Sequence, residues 1–126
     1  MLATFAATAT ADAKRLVRYD VSGGLAGRSE RLVIDGDRTA RQTSGKRSED
    51  ARRFTVSSKQ LRALKRELKA ARFTSLKRRY APRYVVNDGI TETVTYKGRS
   101  VSVSTGAEAP ARLERVIRRL GRLMRP

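Results

Sequence analysis

The sequence contains no histidine, no cysteine and no tryptophan, and only 6% of its residues are aromatic. These absences exclude Cys/His zinc sites, thiol nucleophiles, disulfides and histidine-based catalytic triads. Pairs of carboxylates remain for acid–base chemistry, but the close pairs Asp35 with Asp37 and Glu49 with Asp50 fall in predicted turns. The sequence therefore predicts a protein that is not an enzyme and that holds neither a metal nor a cofactor.

Long hydrophobic runs are also missing, because no stretch approaches the roughly 20 apolar residues that a membrane-spanning helix requires. The chain has 126 residues, of which 39% are hydrophobic. This length and composition predict a single domain, residues 14–126, with one modest core of Leu and Val. We expect a monomer.

The first 13 residues, MLATFAATATADA, are small and apolar, unlike the rest of the chain. Ala11-Asp12-Ala13 fits the small-x-small rule for signal peptidase and makes Lys14 the first mature residue. The segment lacks a positive start and a full hydrophobic region, so it is either a truncated signal peptide or a frayed tail. The break in composition favours the signal peptide and a secreted or cell-envelope location, with the cytoplasm as the alternative.

Positive charge is what the sequence has in excess: 29 Lys and Arg against 12 Asp and Glu, a formal net charge of +17. This charge predicts salt-sensitive attraction to polyanions such as nucleic acid, an anionic envelope polymer or an acidic protein surface. The alternative is a solvated surface that reflects a biased composition. Few aromatics are available to stack on bases, namely Tyr80, Tyr84 and Tyr96, so we expect no sequence-reading platform.

Alternating and β-branched residues predict the strands. The segments Arg15–Val21 and Arg28–Ile34 form one expected hairpin, and Ile90–Tyr96 and Arg99–Ser104, joined by Lys97-Gly98, form a second. Shorter strands are expected at Thr39–Thr43 and Phe54–Val56, and Arg83–Val86 is expected to begin another strand before the turn Asn87-Asp88-Gly89.

Two amphipathic helices are predicted. Ser57 and Gln60 form a capping box before a stripe of Leu61, Leu64, Leu68 and Ala71, and a last helix follows Pro110 with Leu113, Val116, Ile117, Leu120, Leu123 and Met124 on one face. The order of strands, helix, hairpin and helix predicts an α+β fold, an antiparallel β-sheet of about four to five strands with two helices packed on one face.

Both predicted helices carry cations opposite their apolar stripes. On the last helix these are Arg112, Arg115, Arg118, Arg119 and Arg122. Such faces are either solvated surface or a polyanion-binding site. The candidate polyanion contacts are Lys59, Arg62, Lys65, Arg66, Lys69, Arg72, Arg112, Arg115 and Arg119.

The segment Ser22-Gly23-Gly24-Leu25-Ala26-Gly27 has more glycine than a tight hairpin needs. Glycine lets the backbone adopt positive φ and approach a partner closely, so the segment predicts a projecting tip that carries the apolar side chain of Leu25. The alternative is a wide hairpin loop without a function.

This loop and the later pattern resemble the emfourin-type inhibitors of thermolysin-like (M4) metalloproteases, which are associated with protealysin-like enzymes. The resemblance covers about Leu16 to Leu120 and rests on the glycine loop, on Leu61-x-x-Leu64 and Leu68-x-x-Ala71-x-Phe73-x-x-Leu76, and on Thr93-Val94-Thr95-Tyr96, Gly98, Val101-Ser102-Val103 and the helix after Pro110. The segment Arg38–Arg53 is longer than in the members of this family.

The resemblance implies that Ser22, Gly23, Gly24, Leu25, Ala26 and Gly27 bind an M4-type protease. The loop would enter the cleft in extended form and pair with an edge strand, Leu25 would fill a hydrophobic pocket, and Ser22 or a backbone carbonyl would approach the catalytic zinc. Two alternatives remain: a basic polyanion-binding module, and a secreted interaction domain without inhibitory activity.

Overall fold

The structure, a computed structural model, describes residues 15–25, 27–45 and 51–124, so the predicted signal peptide lies outside the described residues. The strands are β1 (Arg15–Gly23), β2 (Arg28–Asp35), β3 (Thr39–Ser44), β4 (Arg52–Thr55), β5 (Arg79–Tyr80), β6 (Ile90–Tyr96) and β7 (Arg99–Ser104). The helices are α1 (Ser58–Ala71) and α2 (Ala111–Met124), with a 3-10 turn at Phe73–Ser75 between α1 and β5.

The strands form one sheet of seven in the order β4-β3-β2-β1-β6-β7-β5. Every pair is antiparallel except β5 with β7, which is parallel. The predicted α+β class is confirmed, whereas the expected four to five strands and the purely antiparallel sheet are wrong. The extra parallel strand is only two residues long, and it reaches β7 because the connection from α1 returns along that edge of the sheet.

The hairpins β1–β2 and β6–β7 form the centre of the sheet, and their buried side chains form its apolar face. In β1, Val17, Tyr19 and Val21 are buried while the residues between them are not, as expected for a strand with one covered face. The register places Tyr19 opposite Leu32 of β2 and Val94 of β6, so one face of the sheet is continuously apolar. Buried Leu and Val side chains dominate the core, as predicted.

Helix α1 begins as predicted. The Ser57 hydroxyl accepts a hydrogen bond from the Gln60 amide at 3.1 Å, and the Gln60 side chain accepts one from the Ser57 amide at 3.2 Å. The buried residues of α1 and α2 belong to the same core as the apolar face of the sheet, so both helices cover that one face. These buried helix residues are Leu61, Leu64, Leu68, Ala71, Leu113, Val116, Ile117, Leu120 and Met124. In the described part of the chain, neither helix is long and apolar enough to cross a bilayer.

The expected strand at Arg83–Val86 is wrong. These residues are irregular, and they belong to the connection 81–89 between β5 and β6. The residues between Pro82 and the Asn87-Asp88-Gly89 turn pair with no strand of the described sheet, and Val85 is 91% exposed, so its β-branched side chain gains no packing.

Candidate functional site

The glycine loop is shorter than predicted because β1 continues through Ser22 and Gly23. The tip is the segment 24–27, closed by a hydrogen bond from the Gly27 amide to the Gly24 carbonyl at 3.1 Å. Gly23, Gly24 and Gly27 have φ of +111°, +84° and +64°, which L side chains rarely adopt. Ala26 lies outside the described residues. The tip is therefore a closed turn in this structure, whereas the resemblance implies an extended form inside a protease cleft.

This tip is fixed to the connection 81–89. The Gly24 amide donates to the Gly89 carbonyl at 3.1 Å, and a Cβ on Gly23 would lie 2.5 Å from the same oxygen. A glycine is required at position 23, because any side chain there would collide with the Gly89 backbone. The two loops consequently form one unit.

Three large hydrophobic side chains are exposed in the described part of the chain, and all three lie at this end of the sheet. Leu25 at the tip is 89% exposed, and in the connection 81–89 Tyr84 is 65% and Val85 91% exposed. Gly23 pairs with Ile90, the first residue of β6, and β5 runs parallel to β7 toward the same end. We call Leu25, Tyr84 and Val85 the apolar tip.

The Tyr84 side chain lies beside the turn after β7. Its hydroxyl oxygen would lie 3.1 Å from a Cβ on Gly106, and its ring borders a pocket of about 380 Å³ with Tyr80 and Pro82. From the sequence, Tyr84 is identified only as a residue that could stack on bases, and Val85 is not identified as a functional residue. The Pro82 and Asn87-Asp88-Gly89 boundaries are the signals that could have identified the connection 81–89 as a loop.

A groove of about 630 Å³ lies between the C-terminal half of α2 and this end of the sheet. Beside it, the buried Tyr19 hydroxyl donates a hydrogen bond to the Glu92 carboxylate. Burial and this bond raise the pKa of Tyr19 well above its ordinary value. Glu30, the neighbouring carboxylate in the groove, is paired with Arg28 at 2.6 Å. The groove is thus lined by groups of both signs.

The predicted polyanion residues separate into different surfaces. The five predicted cations of α1 and Arg72, which follows the helix, are all exposed: Lys59, Arg62, Lys65, Arg66, Lys69 and Arg72. On α2, Arg112 donates to the Ala71 carbonyl at 2.9 Å and to the Ser75 hydroxyl at 3.3 Å, and Arg119 pairs with Glu67. Two of the three predicted α2 contacts therefore hold the helices together, and Arg115 alone of the three is exposed.

Two arginines absent from the predicted contacts complete this surface. Arg118 and Arg122 are exposed, and with Arg115, Arg119 and Glu67 they line a groove of about 290 Å³. The helical spacing of the α2 arginines was the available signal. Which of them α1 would engage depends on how the helices pack, and the sequence does not show this.

The remaining aromatic candidates do not form a stacking platform. Tyr96 is half-buried with its ring 5.4 Å from that of Phe73, edge to face, and Tyr80 is half-buried with its hydroxyl accepting from the Lys77 amide at 3.0 Å. Among the tyrosines that the structure describes, Tyr84 alone is exposed.

Of the two carboxylate pairs, only Asp35 with Asp37 lies within the described residues. Asp35 ends β2, and Asp37, in the following turn, accepts a hydrogen bond from the Thr39 amide at 3.1 Å. Glu49 and Asp50 lie outside the described residues. Within the described ranges, no group of three or more Asp or Glu side chains is placed to hold a metal ion.

No family model matches the chain, and no curated protein matches it significantly. The resemblance to the emfourin-type inhibitors therefore stays a prediction.

Proposed function

We propose that this protein is a proteinaceous inhibitor of a thermolysin-like metalloprotease and binds the protease through the apolar tip. The observation that carries the proposal is Leu25, 89% exposed on a turn that the Gly24–Gly89 hydrogen bond holds in place. A large apolar side chain presented on a fixed backbone is suited to a hydrophobic specificity pocket. A secreted or cell-envelope location, supported by the predicted signal peptide, belongs to the same proposal.

The closed turn explains how such an inhibitor would escape cleavage. Proteases hold their substrates as extended strands, whereas the Gly27–Gly24 hydrogen bond keeps the tip folded on itself. Leu25 would enter the pocket without an extended scissile segment behind it. Ser22 lies within β1, opposite Ser29 and Thr91, and is therefore not part of the tip. A backbone carbonyl of the tip is better placed than the Ser22 hydroxyl to approach the catalytic zinc of the protease.

Rigidity of the tip also favours affinity. Ordering a flexible loop on binding opposes association, and a loop that is already ordered avoids most of this loss. Gly23 and Gly24 supply that order because their backbone packs directly on Gly89.

A single side chain does not make an interface, since stable complexes bury on the order of 800 Å² on each partner. Tyr84 and Val85 would extend the contact beyond Leu25 along the same end of the sheet. They would pack against the rim of the protease cleft while Leu25 occupies the pocket.

The test is a titration of a thermolysin-like protease with the purified chain and with Leu25→Glu, at ~0.05 M and ~0.5 M salt. We expect inhibition to persist at the higher salt, because apolar contacts are not screened. Leu25→Glu should weaken inhibition by about 30-fold or more, as loss of a hot-spot residue does.

The matched control is Ala70→Glu, which introduces the same side chain at an exposed position of α1. It should inhibit like the unaltered chain, and both variants should retain the circular dichroism of the native fold. The proposal is wrong if the unaltered chain does not inhibit, or if Leu25→Glu inhibits as strongly as Ala70→Glu.

A further inference from the structure

Four arginines of α2 converge on one face of the helix. Arg115, Arg118, Arg119 and Arg122 follow the spacing i, i+3, i+4, i+7, which places side chains in a single row. Glu67 of α1 faces this row, and together the five side chains line the groove of about 290 Å³. We call it the arginine groove.

The positive charge of this groove is largely uncompensated. Arg119 is paired with Glu67, but Arg115, Arg118 and Arg122 form no ion pair with any residue that the structure describes. Like charges three and four positions apart on a helix repel and destabilise it. Charges of one sign around a concave surface also concentrate the field there, so a bound anion would be attracted and would relieve the repulsion.

The spacing of the three unpaired guanidinium groups indicates the size of that anion. Arg115 and Arg122 are seven residues apart, which corresponds to about 10 Å along a helix axis. A single small ion would reach only part of this row. Guanidinium groups form paired hydrogen bonds with phosphate oxygens, so a ligand with several linked phosphates would engage successive arginines.

We propose that the arginine groove binds a linear chain of phosphate groups, as found in polyphosphate and in a phosphodiester backbone. No aromatic side chain lines the groove, so recognition depends on the phosphates and not on any base. Arg115, Arg118 and Arg122 are the principal contacts because all three are exposed and unpaired within the described chain. Glu67 opposes binding, since it neutralises Arg119 and adds a negative charge beside the ligand.

The site does not use the residues that we propose for protease inhibition. Its arginines belong to α2 and are not part of the apolar tip, although Arg118 and Arg122 also line the groove of about 630 Å³ that reaches the same end of the sheet. Failure of either proposal would leave the other intact.

The experiment is isothermal titration of the full chain with tripolyphosphate at ~0.05 M salt, compared with inorganic phosphate at matched ionic strength. We expect tripolyphosphate to bind at least about 10-fold more tightly than phosphate, because several arginines act together. The variant Arg118→Gln/Arg122→Gln should lower the affinity for tripolyphosphate by about 10-fold or more, whereas Glu67→Gln should raise it.

The matched control is Arg62→Gln/Arg66→Gln. It removes two arginines at the same i, i+4 spacing and the same total charge, but from the exposed face of α1. It should change the affinity by less than about 3-fold, which separates a defined site from general attraction to a basic protein. Equal losses in the two double variants, or no binding by the unaltered chain, would overturn the proposal.

A second arm distinguishes the sources of the phosphate chain. A short oligothymidylate that competes with tripolyphosphate, and loses affinity in Arg118→Gln/Arg122→Gln, would assign a phosphodiester backbone to the groove. Tripolyphosphate binding that oligothymidylate does not displace would assign free polyphosphate. Oligothymidylate binding that is insensitive to the groove variant while tripolyphosphate does not bind would contradict the proposal.

Discussion

At one end of the sheet the strands reverse through short turns, Lys97-Gly98 between β6 and β7 and 36–38 between β2 and β3. At the other end the connections are longer: 24–27, 81–89 and 105–110. The short turns expose no large hydrophobic residue, whereas the longer connections carry Leu25, Tyr84 and Val85. The short turns at the first end add no exposed apolar surface, whereas the longer connections at the second end do.

The difference shows where the fold accepts unfavourable local features. Glycine-rich loops lose more backbone entropy on folding than other segments, and exposed apolar side chains gain nothing from the core. The longer connections combine both features with a close backbone approach at Gly23. Features that lower the stability of the folded protein persist where a rigid binding surface requires them. Their presence favours this end of the sheet as the site of function.

The largest expected effect comes from filling the close approach. Gly23→Ala places a Cβ 2.5 Å from the Gly89 carbonyl oxygen, in a backbone with φ of +111°. Strain and steric overlap together should lower the free energy of unfolding by about 3 kcal/mol or more. Urea denaturation followed by circular dichroism measures the loss.

Gly27→Ala is the control for this prediction. Its φ is +64°, but among the described residues no atom other than those of its chain neighbours lies within 4 Å of the added Cβ, so only the left-handed conformation is penalised, by about 1 kcal/mol. If the two variants were equally destabilised, the contact between the two loops would not be what requires Gly23.

Regular patterns made much of the fold predictable. Strict alternation identified the β6–β7 hairpin, and the leucine stripe with its Ser57–Gln60 capping box identified α1. Strand β5 has two residues and forms by pairing with β7, so it has no periodicity of its own to detect. Aromatic and β-branched residues suggested a strand at Arg83–Val86, but their propensity was not matched by any partner strand.

The candidate site was predictable in part for the same physical reason. The glycines at 23, 24 and 27 indicate, from the sequence alone, a backbone with positive φ. The contact between Gly24 and Gly89 joins segments that are far apart along the chain, and the pairing of Arg119 with Glu67 depends on how α1 meets α2. Contacts of this kind are set by tertiary packing and leave no local pattern.

A smaller effect is expected from the polar pair near the longer connections. Tyr19→Phe removes the hydroxyl that donates to Glu92, two residues 73 positions apart in the chain. The loss of one hydrogen bond to a charged group should lower the free energy of unfolding by about 1–2 kcal/mol at pH 7. Urea denaturation of both proteins at this pH measures the difference.

This difference should depend on pH. Burial raises the pKa of Tyr19 in the folded protein above the value of about 10 that applies after unfolding. Above pH ~10 the unfolded chain therefore binds fewer protons than the folded protein, and the stability due to Tyr19 declines as the pH rises, by up to about 1.4 kcal/mol per pH unit. The gap between the two proteins should narrow from pH 8 to pH 11; an unchanged gap would show that Tyr19 is not protected from ionisation.

The smallest effect is expected at the opposite end of the sheet, in the turn Lys97-Gly98. Both residues have positive φ, +50° and +76°, as a type I′ turn requires, and lysine is poorly suited to the first position. Lys97→Asn should raise the free energy of unfolding by about 0.5 kcal/mol, because asparagine tolerates the left-handed conformation. The Lys97 ammonium also lies over the Tyr96 ring, 5.4 Å from its centroid, and the asparagine variant loses this contact. Lys97→Ala loses the same contact without gaining a residue that tolerates positive φ, so it separates the two effects. Thermal unfolding should rank Asn above Lys and Lys above Ala; an alanine variant as stable as the asparagine variant would mean that the backbone conformation does not limit this turn.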